Sequence, residues 1–133
     1  MFKEIDLAWA AGFFDGEGCV ILRKVKNTYA VRIAVSQVNP TPIKRFKDMF
    51  GGHISYQKSK NPNWSAQWKW EQDSKSASET LRLLQPYLCV KHDVVALALE
   101  FQKLKRKGRR ASATEIELEE SFKSKISILN RKD

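Results

Sequence analysis

Apolar residues fill positions 7–14 of the chain without a charged interruption. This pattern is typical of a helix that is buried on every side. Asp6 stands directly before the apolar stretch and can cap the helix N terminus, and the glycines at positions 16 and 18 predict its end. The stretch is far short of the ~20 apolar residues that a membrane span needs.

Two hairpins follow, with a short helix between them. Alternating apolar and polar residues predict strands at 19–25 and 29–37 for the first hairpin. The same alternation predicts strands at 53–58 and 64–71 for the second hairpin. The short helix is predicted at residues 43–50, and two glycines directly after it mark its end.

Three further helices are predicted in the second half of the chain. Ser76 and Glu79 have capping-box spacing and place the start of the first, which would run to about residue 84. The second is predicted over residues 91–107, where a glycine stops it. Thr114 and Glu117 repeat the capping-box spacing before the last helix, which would end near residue 130.

This order of elements predicts an α+β fold of the pattern αββαββα with extra C-terminal helices. The four strands would form one antiparallel sheet, with one face packed on the helices and the other polar and basic. A length of 133 residues fits a single domain over residues 1–133, and the sequence contains no internal repeat.

The charge of the chain indicates an anionic partner. Lys and Arg number 24 against 15 Asp and Glu, a net charge of +9, which favours nucleic acid over an acidic membrane surface. Residues 1–18 are an acidic exception, with one lysine and four acids. Cys19 and Cys89 lack zinc-ligand spacing and are interpreted as buried thiols of a reducing, intracellular protein, in bacterial or phage cytoplasm or in an organelle.

Small residues and acids share the first helix. Ala8, Gly12 and Gly16 form a strip along which a second helix can approach closely, although small residues also pack helices on sheets. Asp15 and Glu17 stand at the helix C terminus, where the dipole disfavours each carboxylate by roughly 0.3–1 kcal/mol. A hard divalent cation would compensate these charges, and solvation or a nearby lysine is the alternative.

Residues 10–18, Ala-Ala-Gly-Phe-Phe-Asp-Gly-Glu-Gly, resemble the LAGLIDADG motif of homing endonucleases. The resemblance covers nearly the whole chain and includes residues 35–37, 50–52 and 84–91. In this family two motif helices pack side by side, and each brings its last acid to a shared active site. Because this chain has one motif, the resemblance implies the single-motif, homodimeric type. The implied dimer interface contains Ala8, Ala11, Gly12, Asp15 and Gly16.

The resemblance also implies the active-site residues. The catalytic acid falls on Glu17, and the carbonyl of Gly16 would be a second metal ligand. The glutamine at the end of the second strand falls on Gln37, and the lysine after the Pro-aromatic-Leu segment falls on Lys91. The expected cofactor is Mg²⁺, or another divalent metal such as Mn²⁺, and the expected substrate is a long, nearly palindromic DNA duplex.

The polar face of the sheet would lie in the major groove, where a β-ribbon can read base edges. Lysines at the hairpin tips would hold phosphates. The basic stretch 103–110 would either touch the DNA backbone or only compensate a helix dipole. The expected DNA contacts are Ile21, Arg23, Lys26, Thr28, Arg32, Ala34, Ser36, His53, Ser55, Gln57, Lys58, Lys60, Ser65, Gln67 and Lys69.

Two other interpretations compete with a nuclease. One is a binding-only relative, either a maturase that grips intron RNA or a DNA-binding regulator. Glu17, together with Gln37 and Lys91, favours catalysis, because a protein that only binds has no use for a carboxylate facing a phosphate. The other is an unrelated ribosome-associated protein, which would show no dependence on divalent metal.

Overall fold

The computed structural model describes residues 2–26, 28–61, 63–105 and 112–132. The elements alternate as the sequence predicts, which confirms the α+β fold with additional C-terminal helices. They are α1 (Glu4–Glu17), β1 (Gly18–Val25), β2 (Thr28–Gln37), α2 (Pro40–Phe50), β3 (His53–Gln57), β4 (Gln67–Asp73), α3 (Ser74–Leu84), a 3₁₀ turn (Gln85–Tyr87), α4 (His92–Leu104) and α5 (Ala113–Lys132). None of the described helices is long and apolar enough to cross a membrane.

The four strands form one antiparallel sheet in the order β1-β2-β4-β3. Gly18 pairs with Val35, so β1 begins beside the end of β2. In β2 the alternation holds: Val31, Ile33 and Val35 are fully buried and point toward the helices. The sheet and its two-faced character are therefore confirmed.

The core lies between the sheet and the helices. Phe46 of α2 packs edge-on against Trp70 of β4, with ring centroids 5.1 Å apart, and both side chains are fully buried. The indole Nε1 of Trp70 donates to the carbonyl of Gly51 at 2.6 Å. Gly52 follows with a φ of +93°, and a Cβ there would lie 2.6 Å from Trp70 Nε1. Glycine is required at this helix stop.

The last strand starts later than predicted. The expected strand 64–71 loses its first residues to a loop, in which the Asn61 side chain accepts from the N–H of Asn63 at 3.0 Å and the Asn61 carbonyl accepts from Trp64 at 3.0 Å. Such local asparagine bonds compete with the strand ladder. Trp64 is 70% exposed, and Ser65 lies in the loop as well.

The predicted helix caps are wrong. α3 begins at Ser74, before the Ser76–Glu79 pair. α5 is capped two residues earlier than expected: Ser112 Oγ accepts from the N–H of Glu115 at 3.2 Å, and Glu115 Oε1 accepts from the N–H of Ser112 at 3.3 Å. This reciprocal pair is a capping box. It replaces the expected Thr114 box.

The first helix also begins earlier than predicted, with Lys3 as its N-cap residue. Asp6 lies within the first turn, and its carboxylate pairs with Arg45 at 2.9 Å. The carboxylate therefore does not cap the helix end. α4 ends at Leu104, and most of the basic stretch 103–110 lies outside the described residues.

Candidate active site and nucleic-acid interface

The last turn of α1 places Glu17 at the surface. Gly18 follows as the first residue of β1, and its N–H donates to the carbonyl of Phe14. A Cβ on Gly18 would lie 2.6 Å from both the Phe14 ring and that carbonyl oxygen, so the chain can leave the helix in this way only at a glycine. Glu17 is exposed, and its carboxylate makes no hydrogen bond or ion pair with a described residue.

Asp15 has a different environment from Glu17. Its carboxylate accepts hydrogen bonds from three backbone N–H groups, those of Cys89 at 2.7 Å, Val90 at 3.1 Å and Lys91 at 3.0 Å. The expectation that both acids need a cation is therefore wrong for Asp15. This carboxylate ties the end of α1 to the start of α4, and its part in a dimer interface stays a prediction.

The same end of the molecule carries the other two predicted catalytic residues. Gln37 ends β2, two residues beyond the partner of Gly18, and its Oε1 accepts from the N–H of Val38 at 2.8 Å. Lys91 is the N-cap residue of α4, held there by Asp15. The fold thus brings Glu17, Gln37 and Lys91 to one end of the sheet. Their catalytic roles stay predictions.

The cysteines are exposed, so their interpretation as buried thiols is wrong. Desolvation by the surrounding protein raises the pKa of the Cys19 thiol, and the ammonium charges of Lys69 and Lys91 act in the opposite direction. Cys19 therefore lies within electrostatic reach of both lysines. It stands between the end of the sheet that carries the predicted catalytic residues and the polar face of the sheet.

One face of α1 is open to solvent in the single chain, so the predicted burial on every side would require a second molecule to cover this face. Ile5 is 75% exposed, and Ala8, Gly12 and Gly16 are exposed along the same stripe. A Cβ added at either glycine would have no described atom within 4 Å. Packing within the chain therefore does not require glycine at these two positions. Ala11 is fully buried in the core of its own chain and has no exposed surface with which to contact a partner, so its predicted place in the dimer interface is wrong.

The polar face of the sheet contains a charge network that the sequence did not reveal. Arg32 donates to Asp73 through Nε at 2.8 Å and Nη2 at 3.2 Å, and its Nη1 lies 3.3 Å from Glu71. Lys69 Nζ lies 3.4 Å from the same Glu71 oxygen, and Arg23 lies 3.9 Å from Asp73. Hydrogen bonding to Arg32 lowers the pKa of Asp73. The side chain of Arg32, expected to read a base, is already bound.

Thr28 is also engaged within the chain. Its hydroxyl donates to Glu119 of α5 at 2.6 Å and accepts from Lys105 at 2.8 Å. Burial opposes ionisation of Glu119, but the bonds from Thr28 and from the N–H of Tyr29, with the charge of Lys105, outweigh it and lower the pKa. α5 thereby holds the turn of the first hairpin.

The remaining predicted DNA contacts differ in accessibility. Ala34 is only 3% exposed, because its short side chain stands between the paired residues Cys19 and Glu71, and the prediction that it touches a base is wrong. Ile21, Ser36, Ser55 and Lys69 are half-buried. The exposed ones are Arg23, Lys26, His53, Gln57, Lys58, Lys60, Ser65 and Gln67.

Within the described residues, no group of three or more His, Cys, Asp or Glu side chains is placed to hold a metal ion. One chain offers a cation the Glu17 carboxylate and the carbonyl of Gly16, which lies in the helix's last turn, where carbonyls lack helical partners. A metal site built here from a single chain is therefore incomplete.

The profile of the LAGLIDADG endonuclease family matches residues 10–94, from within α1 to the start of α4. The homing endonuclease I-CvuI, solved in complex with its target in the presence of Ca, has a TM-score of 0.72 and 22% identity, covering 94% of this chain and 82% of that one. The homing endonuclease I-TnaI has a TM-score of 0.71 and 14% identity, and the match covers 98% of this chain and 96% of that one. The LAGLIDADG meganuclease I-AabMI, bound to uncleaved DNA, has a TM-score of 0.69 and 20% identity, and the match covers 87% of this chain and 43% of that one. The comparison with curated proteins gives no match.

Proposed function

Since the chain belongs to the LAGLIDADG endonuclease family, we propose that it is a divalent-metal-dependent, site-specific DNA endonuclease that cuts both strands of a duplex as a homodimer. The exposed carboxylate of Glu17 carries this proposal. It stands at the end of the motif helix without a partner among the described residues, whereas the neighbouring Asp15 is fully engaged. A carboxylate without a stabilising contact among the described residues is available for catalysis.

The donor set at the end of α1 fits a hard cation. Glu17 and the carbonyl of Gly16 supply oxygen ligands, which Mg²⁺ prefers, and Mn²⁺ accepts similar ligands. When bound, such a cation would supply Lewis acidity at the phosphate and lower the pKa of a water molecule. I-CvuI, which has the same fold, has been solved with a DNA target in the presence of Mg, and the DNA in that structure is not cleaved.

Gln37 and Lys91 would act around this site. The amide oxygen of Gln37 is held by the N–H of Val38, which leaves the amide N–H₂ group free to donate to a water or a phosphate oxygen. The ammonium group of Lys91 would stabilise negative charge that develops on the phosphate. The bonds from Asp15 to the backbone around residue 91 position this lysine beside the helix end.

The open face of α1 supports the homodimer. Ala8, Gly12 and Gly16 present no bulk, and close approach of an identical helix would cover them together with Ile5. This chain matches 96% of I-TnaI but only 43% of I-AabMI, so some proteins with this fold contain about twice its length. A two-fold pairing would bring two Glu17 side chains together and give a nearly palindromic target.

DNA would bind along the polar face of the sheet. The exposed side chains of Arg23, His53, Gln57 and Gln67 are suited to base edges. Lysines 26, 58 and 60, also exposed, would hold phosphates at the hairpin tips.

Glu17→Gln tests the proposal directly. The substitution keeps the shape of the side chain and removes its charge, so cutting should fall by about a hundredfold or more while DNA binding remains. A randomised duplex library incubated with magnesium identifies the cut sites, and a gel-shift assay measures binding. Asp48→Asn, which neutralises an exposed acid on α2, is the control.

Three results would contradict the proposal. Undiminished cutting by Glu17→Gln would show that Glu17 is not the catalytic acid. Cutting by the wild type in EDTA would show that the reaction does not depend on a divalent metal. Sequence-specific binding without any cutting by the wild type would instead support the binding-only alternative, a DNA-binding regulator or, if RNA is preferred, an intron maturase.

A further inference from the structure

Glu71 places a carboxylate in the middle of the polar face. In β4 it stands between Ala34 of β2 and His53 of β3. Its Oε2 is buried and accepts no hydrogen bond from the described residues, although the nearest nitrogens of Arg32 and Lys69 lie 3.3 and 3.4 Å away. A buried carboxylate on a face otherwise suited to an anionic partner needs an explanation beyond stability.

The two cations fix the orientation of this carboxylate. Both approach the same oxygen, Oε2, and Asp73 holds the guanidinium of Arg32 from the other side at 2.8 Å. Oε2 is the buried oxygen and the side chain as a whole is 18% exposed, so Oε1 is the carboxylate oxygen that remains for an approaching group. It lines a shallow pocket of about 370 Å³ together with His53 and Asp73. Glu71 therefore offers a preorganised acceptor to whatever covers the sheet.

We propose that Glu71 selects a cytosine at one position of each DNA half-site, by accepting a hydrogen bond from the N4 amino group. This inference rests on the proposed function, in which the sheet lies in the major groove. Guanine and thymine present acceptor atoms there, and these would repel a carboxylate. Adenine presents an amino group but sets the N7 acceptor beside it, whereas cytosine presents only the donor.

Arg32 then has a different role from the one expected for an arginine on this face. It does not read guanine, because its guanidinium is bound to Asp73 and Glu71. It is a positioning residue that acts through Glu71. Sequence specificity at this position comes from the carboxylate of Glu71 and not from the guanidinium of Arg32.

Selection of bound duplexes from a randomised pool tests the inference, with EDTA present so that binding is measured without cutting. The wild type should enrich cytosine about tenfold or more over each other base at one position per half-site. Glu71→Gln should move that preference to adenine, because a glutamine amide can pair with N6 and N7 of adenine. Glu71→Ala should lose preference at that position and keep it elsewhere.

The control and the outcomes separate two failures. Glu79→Gln removes an equal charge from an exposed position of α3 and should leave every preference unchanged. If the wild type enriches no sequence, the proposed function fails and the inference with it. If the wild type enriches a clear site but Glu71→Gln and Glu71→Ala leave all preferences unchanged, only the inference is overturned. A wild-type preference for a base other than cytosine at the affected position overturns it too.

Discussion

Three carboxylates show how the surroundings of a residue decide its role. Asp15 accepts three backbone N–H bonds and fixes the start of α4. Glu119 is 7% exposed and is held by a hydroxyl, an amide and an ammonium group. Glu17 lies exposed at the end of its helix without a partner among the described residues. The first two acids stabilise the fold, whereas the third has no such contact among the described residues and is the acid to which the proposed function assigns catalysis.

The environment of Glu119 predicts how the stability of the protein depends on pH. Its pKa in the folded protein is below the ordinary value of 4.5, so the ionised carboxylate contributes stability that is fully present above pH 4.5. This contribution should be lost as the pH falls through the lower, folded pKa. In Glu119→Gln the free energy of unfolding should therefore decline less steeply below pH 4.5 than in the wild type.

Urea unfolding followed at a series of pH values measures this slope. Glu117→Gln, an exposed position on the same helix, is the matched control and should keep the wild-type slope. Equal slopes for wild type and Glu119→Gln would show that the contacts of Glu119 do not contribute to acid stability.

At the scale of elements, α1 performs two tasks on opposite sides. Ala10, Ala11 and Phe14 are fully buried against the sheet. The stripe through Gly12 and Gly16 is exposed and has room for a side chain that the sequence does not use. Glycine inside a helix costs about 1 kcal/mol relative to alanine. Packing among the described residues does not explain why this cost is tolerated, whereas the proposed close approach of a second helix would.

Gly12→Leu tests the pairing of motif helices. A Cβ at this exposed position has no described atom within 4 Å outside its own helix backbone, so the monomer fold should persist, but two helices could no longer approach closely. Sedimentation should show the wild type at twice 15.3 kDa and the variant at 15.3 kDa, with double-strand cutting lost in the variant. Ala96→Leu adds bulk to an exposed position of α4 and serves as the control. A 15.3 kDa wild type that still cuts both strands would refute the dimer.

Local sequence patterns predicted the helices and strands. The contacts that these patterns did not predict depend on the register between strands that are distant in sequence. Alternation in β2 is a local property, and it gave the buried face correctly. The pairing of Arg32 with Asp73 joins residues 41 positions apart, and it depends on the register between β2 and β4. Sequence alone therefore made Arg32 a free base reader and gave the acids on the same face no role.

The caps failed for a related reason. Capping-box spacing occurs at Thr114 and Glu117 and also at Ser112 and Glu115, and the sequence does not choose between them. α5 must bring Glu119 to the first hairpin and Asn130 to the carbonyl of Val20 at 2.9 Å. These contacts with the sheet favour a helix that already begins at Ala113. The grouping of Glu17, Gln37 and Lys91 at one end of the sheet was expected from the family resemblance and not from a local pattern, and their catalytic roles stay predictions.

On the scale of the whole molecule, positive charge is unevenly available to a partner. The network on the polar face sets three cations, Arg23, Arg32 and Lys69, against Glu71 and Asp73. Lys58 and Lys60, at the tip of the second hairpin, are exposed and form no ion pair with a described residue. At the tip of the second hairpin, unlike on the polar face, positive charge is therefore not offset by a described carboxylate.

Lys60→Ala and Arg32→Ala should consequently differ in their dependence on salt. Loss of a phosphate-binding lysine should weaken binding to all sequences and reduce the slope of log K against log salt by about one unit per site. Arg32→Ala should leave the slope nearly unchanged and reduce discrimination between sequences. Binding isotherms at several salt concentrations, for a selected and an unrelated duplex, measure both quantities. Equal slope changes in the two variants would contradict this distribution of charge.

The internal pairing on the polar face has a kinetic consequence for the search along DNA. A reading surface whose charges largely cancel adds little to the attraction for an arbitrary sequence, so wrong sites should not hold the protein for long. The lysines at the hairpin tips would hold the protein on the DNA during sliding, and the largely paired charges of the centre would add only weak attraction while base edges are read. Neutralising Glu71 and Asp73 together would then lengthen the residence of the protein on nonspecific DNA and slow its search for the target, even if its affinity for DNA increased.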